Sequence, residues 1–475
     1  MYTIITIRTG VELKKSREEA RAMKHLTPQK IAEITEGEYI GSNPGRSMFI
    51  TGAARDNREV KQGDLFVCIR GARTDGHLFA NKAFESGAAC CLAEQTIPDA
   101  NGPYVLVKST LDAIKKVAGY YRRQLDIPIV GITGSVGKTT TKELVSAVVG
   151  AKLKVHKTAG NLNNELGVPL TLLSIQEWHE AAVIEMGISD FGEMSRLAEI
   201  ARPDIFIITK IGYSHTDKLG DLNGVLKAKT EAIAYMETDG VAIVNGDDTV
   251  LKGFDPGIRK ITFGLEKQND YRAENIRTEG IDFVTCEIAS DNECFPVKIP
   301  AYGNHIAQMA LPAAIVGRLL GLSNSEISSG LLTYMPVSGR ANIYDTGYIR
   351  LIDDCYNANP HSVEAALTSL SSLPGRHVAI LGDMLGLGAL SEDLHSKIGD
   401  FCANARIDVL ICCGDKAAHI RDAYISASGK AALFYPGKAG LIKALQELIK
   451  KGDAVLVKAS HGMQFEELVA ILKNL

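Results

Sequence analysis

The sequence predicts an α/β protein of three domains, and three observations predict it. Its 475 residues correspond to about three cores at roughly 150 residues per domain. Apolar runs such as "IPIVGIT", "AAVIEMG" and "DIFIITKIG" alternate with segments of helical periodicity. Strands that read as unbroken apolar runs between helices form a mainly parallel sheet covered on both faces. The same rhythm restarts after "YMPVSGRANIYD", which sets expected divisions at 1–125, 126–337 and 338–475.

The first region reads as a short helix in "LTPQKIAEITEG", followed by short strands that include "GDLFVCIRG", bounded by Gly63 and Gly71. Residues before about Leu26 read as a loose leading arm. They are too charged after Arg8, and too short in apolar residues, for a secretory signal. In the second region "KTTTKELVSAVVGAK" is a helix whose Leu144, Val145, Val148 and Val149 have the spacing of a buried face. The third region offers four strands, "IRLIDDCY", "RHVAILGDM", "DVLICCG" and "DAVLVKAS", with helices "HSVEAALTSLSSL" and "QFEELVAILKNL" among them. No low-complexity linker separates the regions, so they are expected to meet at a shared cleft.

Composition narrows the function classes. A formal net charge of −4 with no basic run argues against nucleic acid as a partner. Nine cysteines, scattered or in the adjacent pairs Cys90-Cys91 and Cys412-Cys413, lack the C-x-x-C spacing of a zinc or redox site. Reduced thiols and a cytoplasmic location are the simpler expectation. Uncharged runs such as "IAQMALPAAIVG" fall short of the ~20 residues that span a bilayer, so no membrane span is expected.

The chemistry concentrates in "GITGSVGKTTTKELV". A glycine-rich turn between a strand and a helix aims backbone N–H groups at phosphate oxygens, a lysine adds charge, and a hydroxyl can serve Mg2+. Ile132 stands where the common G-x-x-x-x-G-K-[ST] form has glycine, so the loop is the variant T-G-x-x-G-K-T-T. Its candidates for ATP are Thr133, Gly134, Ser135, Val136, Gly137, Lys138, Thr139 and Thr140, with Thr139 on the metal. Glu185 ends the strand "AAVIEMG", at the carboxyl edge where open α/β sheets hold ligands. It can bind Mg2+ there, the alternative being a helix cap or surface glutamate. His215, after the next strand, is neutral evidence alone.

Four longer segments carry a resemblance: "GNLNNELGVPLTLL", "EMGISDFGEMSRLAEIARPDIFIIT", "DDCYNANPHSVEAAL" and "LGDMLGLG". With the loop variant they resemble the Mur ligases of peptidoglycan synthesis, from about Leu26 to the C-terminus. Within that family the chain is similar to the members that add D-alanyl-D-alanine to a UDP-N-acetylmuramoyl-tripeptide. "YNANP" points away from the siblings that add the third amino acid, whose last domain typically has an Arg-containing motif. The resemblance implies an N-terminal UDP-binding domain, a central P-loop domain and a C-terminal Rossmann-like domain. It implies an ATP-dependent amide ligase acting through an acyl phosphate, serving cell-wall biogenesis and hence cell shape and division. A monomer is expected.

The resemblance also assigns roles. Lys138, Glu185, His215 and Lys229 are the implied catalytic set. Thr139 holds one Mg2+, and Glu185, His215 and a carbamylated Lys229 hold the second. An ammonium cannot ligate a cation, whereas its neutral amine plus CO2 gives an anionic oxygen ligand. Lys227 is the rival lysine. His305, Arg340 and Asp354 are implied nucleotide contacts, Arg340 to phosphate and Asp354 to the ribose, with Asp353 the residue that could be mistaken for it. Asn57, Arg58, Asp75, Asn161, Asn164, Asn357 and Asn359 are implied substrate contacts, although Asp, Asn and Gly favour turns for their own reasons.

Departures accompany the likeness. Ile306 and Met309 replace asparagines expected near adenine, Lys210 stands where relatives often have asparagine, and Gly386 replaces a glutamate. A ligase adding another amino acid, or a nucleotide-binding relative that has lost ligation, are the alternatives that these departures leave open.

Overall fold

The computed structural model describes residues 26–41, 48–71 and 74–475; the leading arm anticipated before Leu26 lies outside them. Three sheets follow one another along the chain. The first contains β1 (Glu38–Ile40), β2 (Gly52–Ala54), β3 (Asp64–Val67), β4 (Cys90–Ala93) and β5 (Tyr104–Leu106), in the order β1-β5-β4-β3-β2, with only β1 antiparallel.

The second sheet begins with β6 (Ile129–Thr133), β7 (Val155–Lys157), β8 (Ala181–Glu185) and β9 (Ile205–Ile208). It continues through β10 (Val241–Asn245), β11 (Arg259–Gly264), β12 (Tyr271–Glu279), β13 (Phe283–Ala289) and β14 (Cys294–Ile299), in the order β14-β13-β12-β11-β10-β9-β6-β8-β7. It is parallel from β7 to β12 and antiparallel across β12-β13-β14. The sequence reading stopped at β9. Of the later strands, β12 and β14 bury only one face and read as mixed polar and apolar segments, whereas β10, "VAIVN", is wholly buried and carries the same apolar signal as β8 and β9.

Apolar residues explain the layering. Leu144, Val145, Val148 and Val149 of helix Lys138–Val149 are fully buried on one face of the second sheet, beside helix His305–Leu319. Ala182, Ile184, Phe206 and Ile208 line the opposite face, whose core is continuous with that under the first sheet. Helix Thr110–Arg122 fills the space between the two sheets. Its Arg122 Nε donates to Ala201 O (2.8 Å), and Nη2 to Arg202 O (2.9 Å) and Asp204 Oδ2 (3.1 Å). A buried guanidinium thereby satisfies the last carbonyls of helix Glu193–Ala201.

The third sheet contains β15 (Asn342–Asp345), β16 (Arg350–Asp353), β17 (His377–Gly382), β18 (Val409–Cys413), β19 (Leu433–Tyr435) and β20 (Ala454–Lys458), in the order β15-β16-β20-β17-β18-β19. The four anticipated strands are β16, β17, β18 and β20. The edge strands β15 and β19 contain no fully buried residue and so lack the apolar run by which the others are read. All nine cysteines are free thiols. Among the described residues no helix is long and apolar enough to cross a membrane.

His156, on the edge strand β7, gives a pH prediction. Burial first, and neighbouring His179 second, hold its imidazole down to about 4, while Nε2 lies 3.0 Å from Thr171 O. Between that value and the ordinary 6.5 the unfolded chain binds a proton that the folded chain refuses. Stability is therefore full above about pH 6.5 and falls as the pH drops towards 4, by about 3 kcal/mol from this group. Chemical denaturation across that range should show a shallower acid slope in His156→Phe than in wild type.

Candidate active site

Strands β9, β6 and β8 lie side by side with their carboxyl ends together, and the chain leaves β6 on both sides. That reversal makes a crevice at the strand ends. Thr133 ends β6, fully buried, and its hydroxyl donates to Met186 O (2.9 Å). The loop after it is stitched to the exit of β9. Ser135 N donates to Lys210 O and Ser135 Oγ to Gly212 O, both at 2.8 Å, and Thr209 Oγ1 donates to Val136 O (2.5 Å). Gly134 adopts φ +144°, and a Cβ there would sit 2.0 Å from Thr209 Oγ1. Gly137, at φ +86°, faces Met309. Helix Lys138–Val149 starts immediately after, leaving the first-turn amides without intrahelical partners.

Lys138 bridges the loop, its Nζ donating to Gly134 O (2.6 Å). Burial lowers its pKa, Glu185 opposes the shift and the Arg340 charge adds to it. Two cations with one nearby carboxylate suit a polyphosphate.

Glu185 ends β8 with 1% of its surface exposed. Its Oε1 accepts from Asn163 Nδ2 (2.8 Å) and Thr139 Oγ1 (3.3 Å), while Oε2 is buried with no partner. An orphaned carboxylate oxygen is costly unless a cation meets it. His215 sits at φ +54°, and burial, then the Lys229 and Lys138 charges, lower its pKa. That favours the neutral imidazole, the form that ligates metals.

Lys229, on helix Leu222–Thr230, is 1% exposed. Burial above all, with Lys138 adding to it and Glu193 opposing, lowers its pKa far below the ordinary range. Lys227 is exposed. Among the described residues no three His, Cys, Asp or Glu side chains gather into a metal site. Glu185, His215 and an unmodified Lys229 offer two donors of that kind, and a carbamate would supply a third. The donor set and the Glu185 oxygen fit Mg2+ on those terms.

Beside this cluster lies a cavity of about 260 Å3, with loop residues Ser135, Val136, Gly137, Thr139 and Thr140 on one side and Arg340, Asp354, Asn357 and Asn359 on the other. His305, Ile306 and Met309 form part of its wall. The replacement at Ile306 is absorbed by the core, where that side chain is 3% exposed. His305 is held below its ordinary pKa mainly by burial. Asp354 lines the cavity, whereas Asp353 is buried and accepts from Cys355 Sγ (3.1 Å). Asp354 Oδ1 accepts from Ala341 N (3.1 Å) and Oδ2 pairs with Lys458 Nζ (2.5 Å). Arg340 crosses the cleft, donating from Nη2 to Thr139 Oγ1 (3.3 Å). Asn359 caps helix Pro360–Ser371 and its Nδ2 donates to Ser135 O (3.4 Å). Asn357 Oδ1 accepts from Ala358 N (2.9 Å).

A second contact joins the two halves. Asp217 N donates to Gly386 O (3.4 Å) and Thr216 Oγ1 to Leu387 O (3.2 Å), beside His215. Gly388, at φ +55°, would place a Cβ 2.8 Å from Asp217 Cα. Gly388→Ala should therefore push these loops apart and lower turnover by about tenfold, with stability reduced by only about 1 kcal/mol. Steady-state rates compared with a thermal melt would check this.

Five sequence candidates lie outside the cluster. Arg58 is exposed and pairs with Asp56 at 2.5 Å, and Asn57 shares its turn. Asp75 Oδ1 lies 2.5 Å from His77 Nδ1, accepts from His77 N (3.0 Å) and caps the short helix Gly76–Phe79. Asn161 is exposed, and Asn164 Oδ1 accepts from Gly167 N (2.9 Å) at a helix start. Conversely, Asn163, Lys458 and Tyr356 belong to the site and were not singled out. The signal for Lys458 was available: like Glu185, it ends a parallel strand.

The chain matches the Mur ligase middle domain over residues 132–317, the Mur ligase glutamate ligase domain over 339–461 and the Mur ligase catalytic domain over 50–122. It is 37% identical over 451 residues to UDP-N-acetylmuramoyl-tripeptide--D-alanyl-D-alanine ligase of Bacillus subtilis strain 168, covering 93% of this chain and 97% of that one. The enzyme of that name from Escherichia coli strain K12 is 33% identical, covering 95% and 99%. Among solved structures, MurF from Acinetobacter baumannii superposes with a TM-score of 0.83 at 28% identity, covering 95% of this chain and 99% of that one. MurF ligase from Thermotoga maritima in complex with ADP does so with 0.78 at 28%, covering 89% and 97%. A likeness that runs through all three sheets and includes the phosphate loop leaves one conclusion: the chain belongs to the Mur ligase family.

Proposed function

We propose that the protein is an ATP-dependent ligase that joins D-alanyl-D-alanine to the peptide carboxylate of UDP-N-acetylmuramoyl-tripeptide in peptidoglycan precursor synthesis, releasing ADP and phosphate. The observation that carries this reading is end-to-end similarity to ligases of that name. A carboxylate resists amines because its leaving group would be oxide. Its oxygen attacks the γ-phosphorus of ATP in line, ADP leaves, and the acyl phosphate has a competent leaving group. The dipeptide amine then attacks the acyl carbon, phosphate departs with the bonding pair, and the nitrogen loses a proton.

Lys138 and Arg340 neutralise charge on the transferring phosphoryl group, where catalysis of such a step mainly lies. Thr139 would hold one Mg2+, and Glu185, His215 and a carbamylated Lys229 a second, which together would neutralise further charge there. The loop from Thr133 to Thr140, with His305 and Asp354, is proposed for the nucleotide. Asn357 and Asn359 are proposed for substrate, and Asn57, Arg58, Asp75, Asn161 and Asn164 for the UDP-sugar side, although several of these carboxylates and amides are also held in turns.

The divisions 1–125, 126–337 and 338–475 belong to the same proposal and are supported by the three separate sheets. So do a cytoplasmic reaction, in keeping with the nine free thiols, and a monomer, since both sides of the cleft come from one chain. The test is phosphate release from Mg-ATP and UDP-N-acetylmuramoyl-tripeptide, with and without D-alanyl-D-alanine, with the product weighed by mass spectrometry. Release that requires the dipeptide and yields the pentapeptide is expected. Release indifferent to it, or none, would overturn the reading.

A further inference from the structure

Arg340 is held in an unusual way for a buried-cleft cation. Among the described residues no carboxylate pairs with it, and its one side-chain hydrogen bond goes to Thr139 Oγ1. What supports the guanidinium is an aromatic face: Cζ lies 4.0 Å from the centroid of the Tyr356 ring. That ring is in turn stacked on His461, with centroids 5.0 Å apart and planes 27° apart. The backbone carries the same link. Tyr356 N donates to Gly339 O (3.2 Å), and Ala341 N donates to Asp354 Oδ1 (3.1 Å). Gly339, at φ +74°, packs so closely that a Cβ would meet Tyr356 Cβ at 3.2 Å. The turn that carries Arg340 is thus seated on the exit of β16 at its backbone and at its side chain.

The choice of a ring over a carboxylate has a chemical consequence. A carboxylate would fix the guanidinium by occupying its N–H donors and cancelling its charge. A ring face holds the cation through its quadrupole and leaves most donors and all of the charge for an anion. We infer that Tyr356 is the positioning residue for Arg340, holding the guanidinium against Thr139 at the mouth of the phosphate loop so that it meets the phosphoryl group undischarged. This rests on the ligase reading above.

The test uses the full chain with Mg-ATP, UDP-N-acetylmuramoyl-tripeptide and D-alanyl-D-alanine. Tyr356→Leu keeps an apolar side chain and removes the ring face, and its kcat should fall by about tenfold with the KM for D-alanyl-D-alanine within about twofold. Tyr356→Phe keeps the face and should stay within about twofold of wild type. In an Arg340→Ala background the leucine change should cost less than about twofold more, because its target has gone. Wild-type kcat in Tyr356→Leu, a phenylalanine variant as slow as the leucine one, or losses that multiply in the double variant would each overturn the inference. If wild type makes no pentapeptide the ligase reading fails separately. Calorimetric Mg-ATP affinity then decides: Tyr356→Leu and Arg340→Ala should weaken it by a common factor that does not compound, and wild-type affinity in Tyr356→Leu overturns the role.

Discussion

Lys229→Met should lower kcat by about a thousandfold while leaving the protein as stable as wild type or more so. Both halves come from the same burial. An amine that is 1% exposed and faces the Lys138 charge is pushed towards its neutral form at the expense of folding. Its unfolded counterpart holds a proton more tightly than the folded one, so stability rises with pH until the ordinary lysine value near 10.5 is passed. Methionine fills much the same volume and removes that cost.

Function should move the other way. A neutral Nζ can add to CO2 and lose a proton, giving the anionic oxygen that the proposed second Mg2+ would need besides Glu185 and His215. Rate assays and thermal melts on the same preparation would separate the two effects. After incubation with 13C-bicarbonate, a carbamate carbon resonance should appear in wild type and in Lys227→Met and be missing in Lys229→Met. A Lys229→Met enzyme that ligates at the wild-type rate would remove this lysine from the chemistry.

What the sequence made legible, and what it hid, follows from which groups are read locally. Unbroken apolar strands such as β8 and β9 announce themselves, and the glycines of the phosphate loop need no partner to be recognised. Strands β12 to β14 do not, because one face is exposed and the pattern mixes. Glu185 was reachable by a rule about strand ends, and the same rule would have found Lys458. Asn163 was not, since choosing among the asparagines of "GNLNNELG" requires knowing that Gly187 leaves room for that one beside Glu185. Tyr356 lay within a motif already singled out, but its partner Arg340 is on a different turn. Ile306 looked like a loss of polar contacts in sequence, whereas the structure turns it into the core.

Glu185→Gln should lower kcat by about a hundredfold to a thousandfold and move the Mg2+ dependence to higher concentration, with the melting temperature unchanged or raised. The substitution is nearly isosteric, and the two side-chain bonds that orient the carboxylate, from Asn163 Nδ2 and Thr139 Oγ1, both fall on Oε1. The amide oxygen can keep both. What changes is Oε2, the buried oxygen without a partner, which becomes a neutral NH2. If the carboxylate were structural, that replacement would exchange one unsatisfied group for another and leave catalysis alone. If Oε2 faces a cation, the charge is what matters, and its loss raises the Mg2+ requirement before it affects the fold. Asn163→Ala separates orientation from charge: it removes the 2.8 Å bond and keeps the anion, so turnover should fall by about tenfold with a smaller shift in Mg2+ dependence. Initial rates over a Mg2+ titration for the three proteins would decide, and a Glu185→Gln curve lying on that of wild type would remove Glu185 from the metal site.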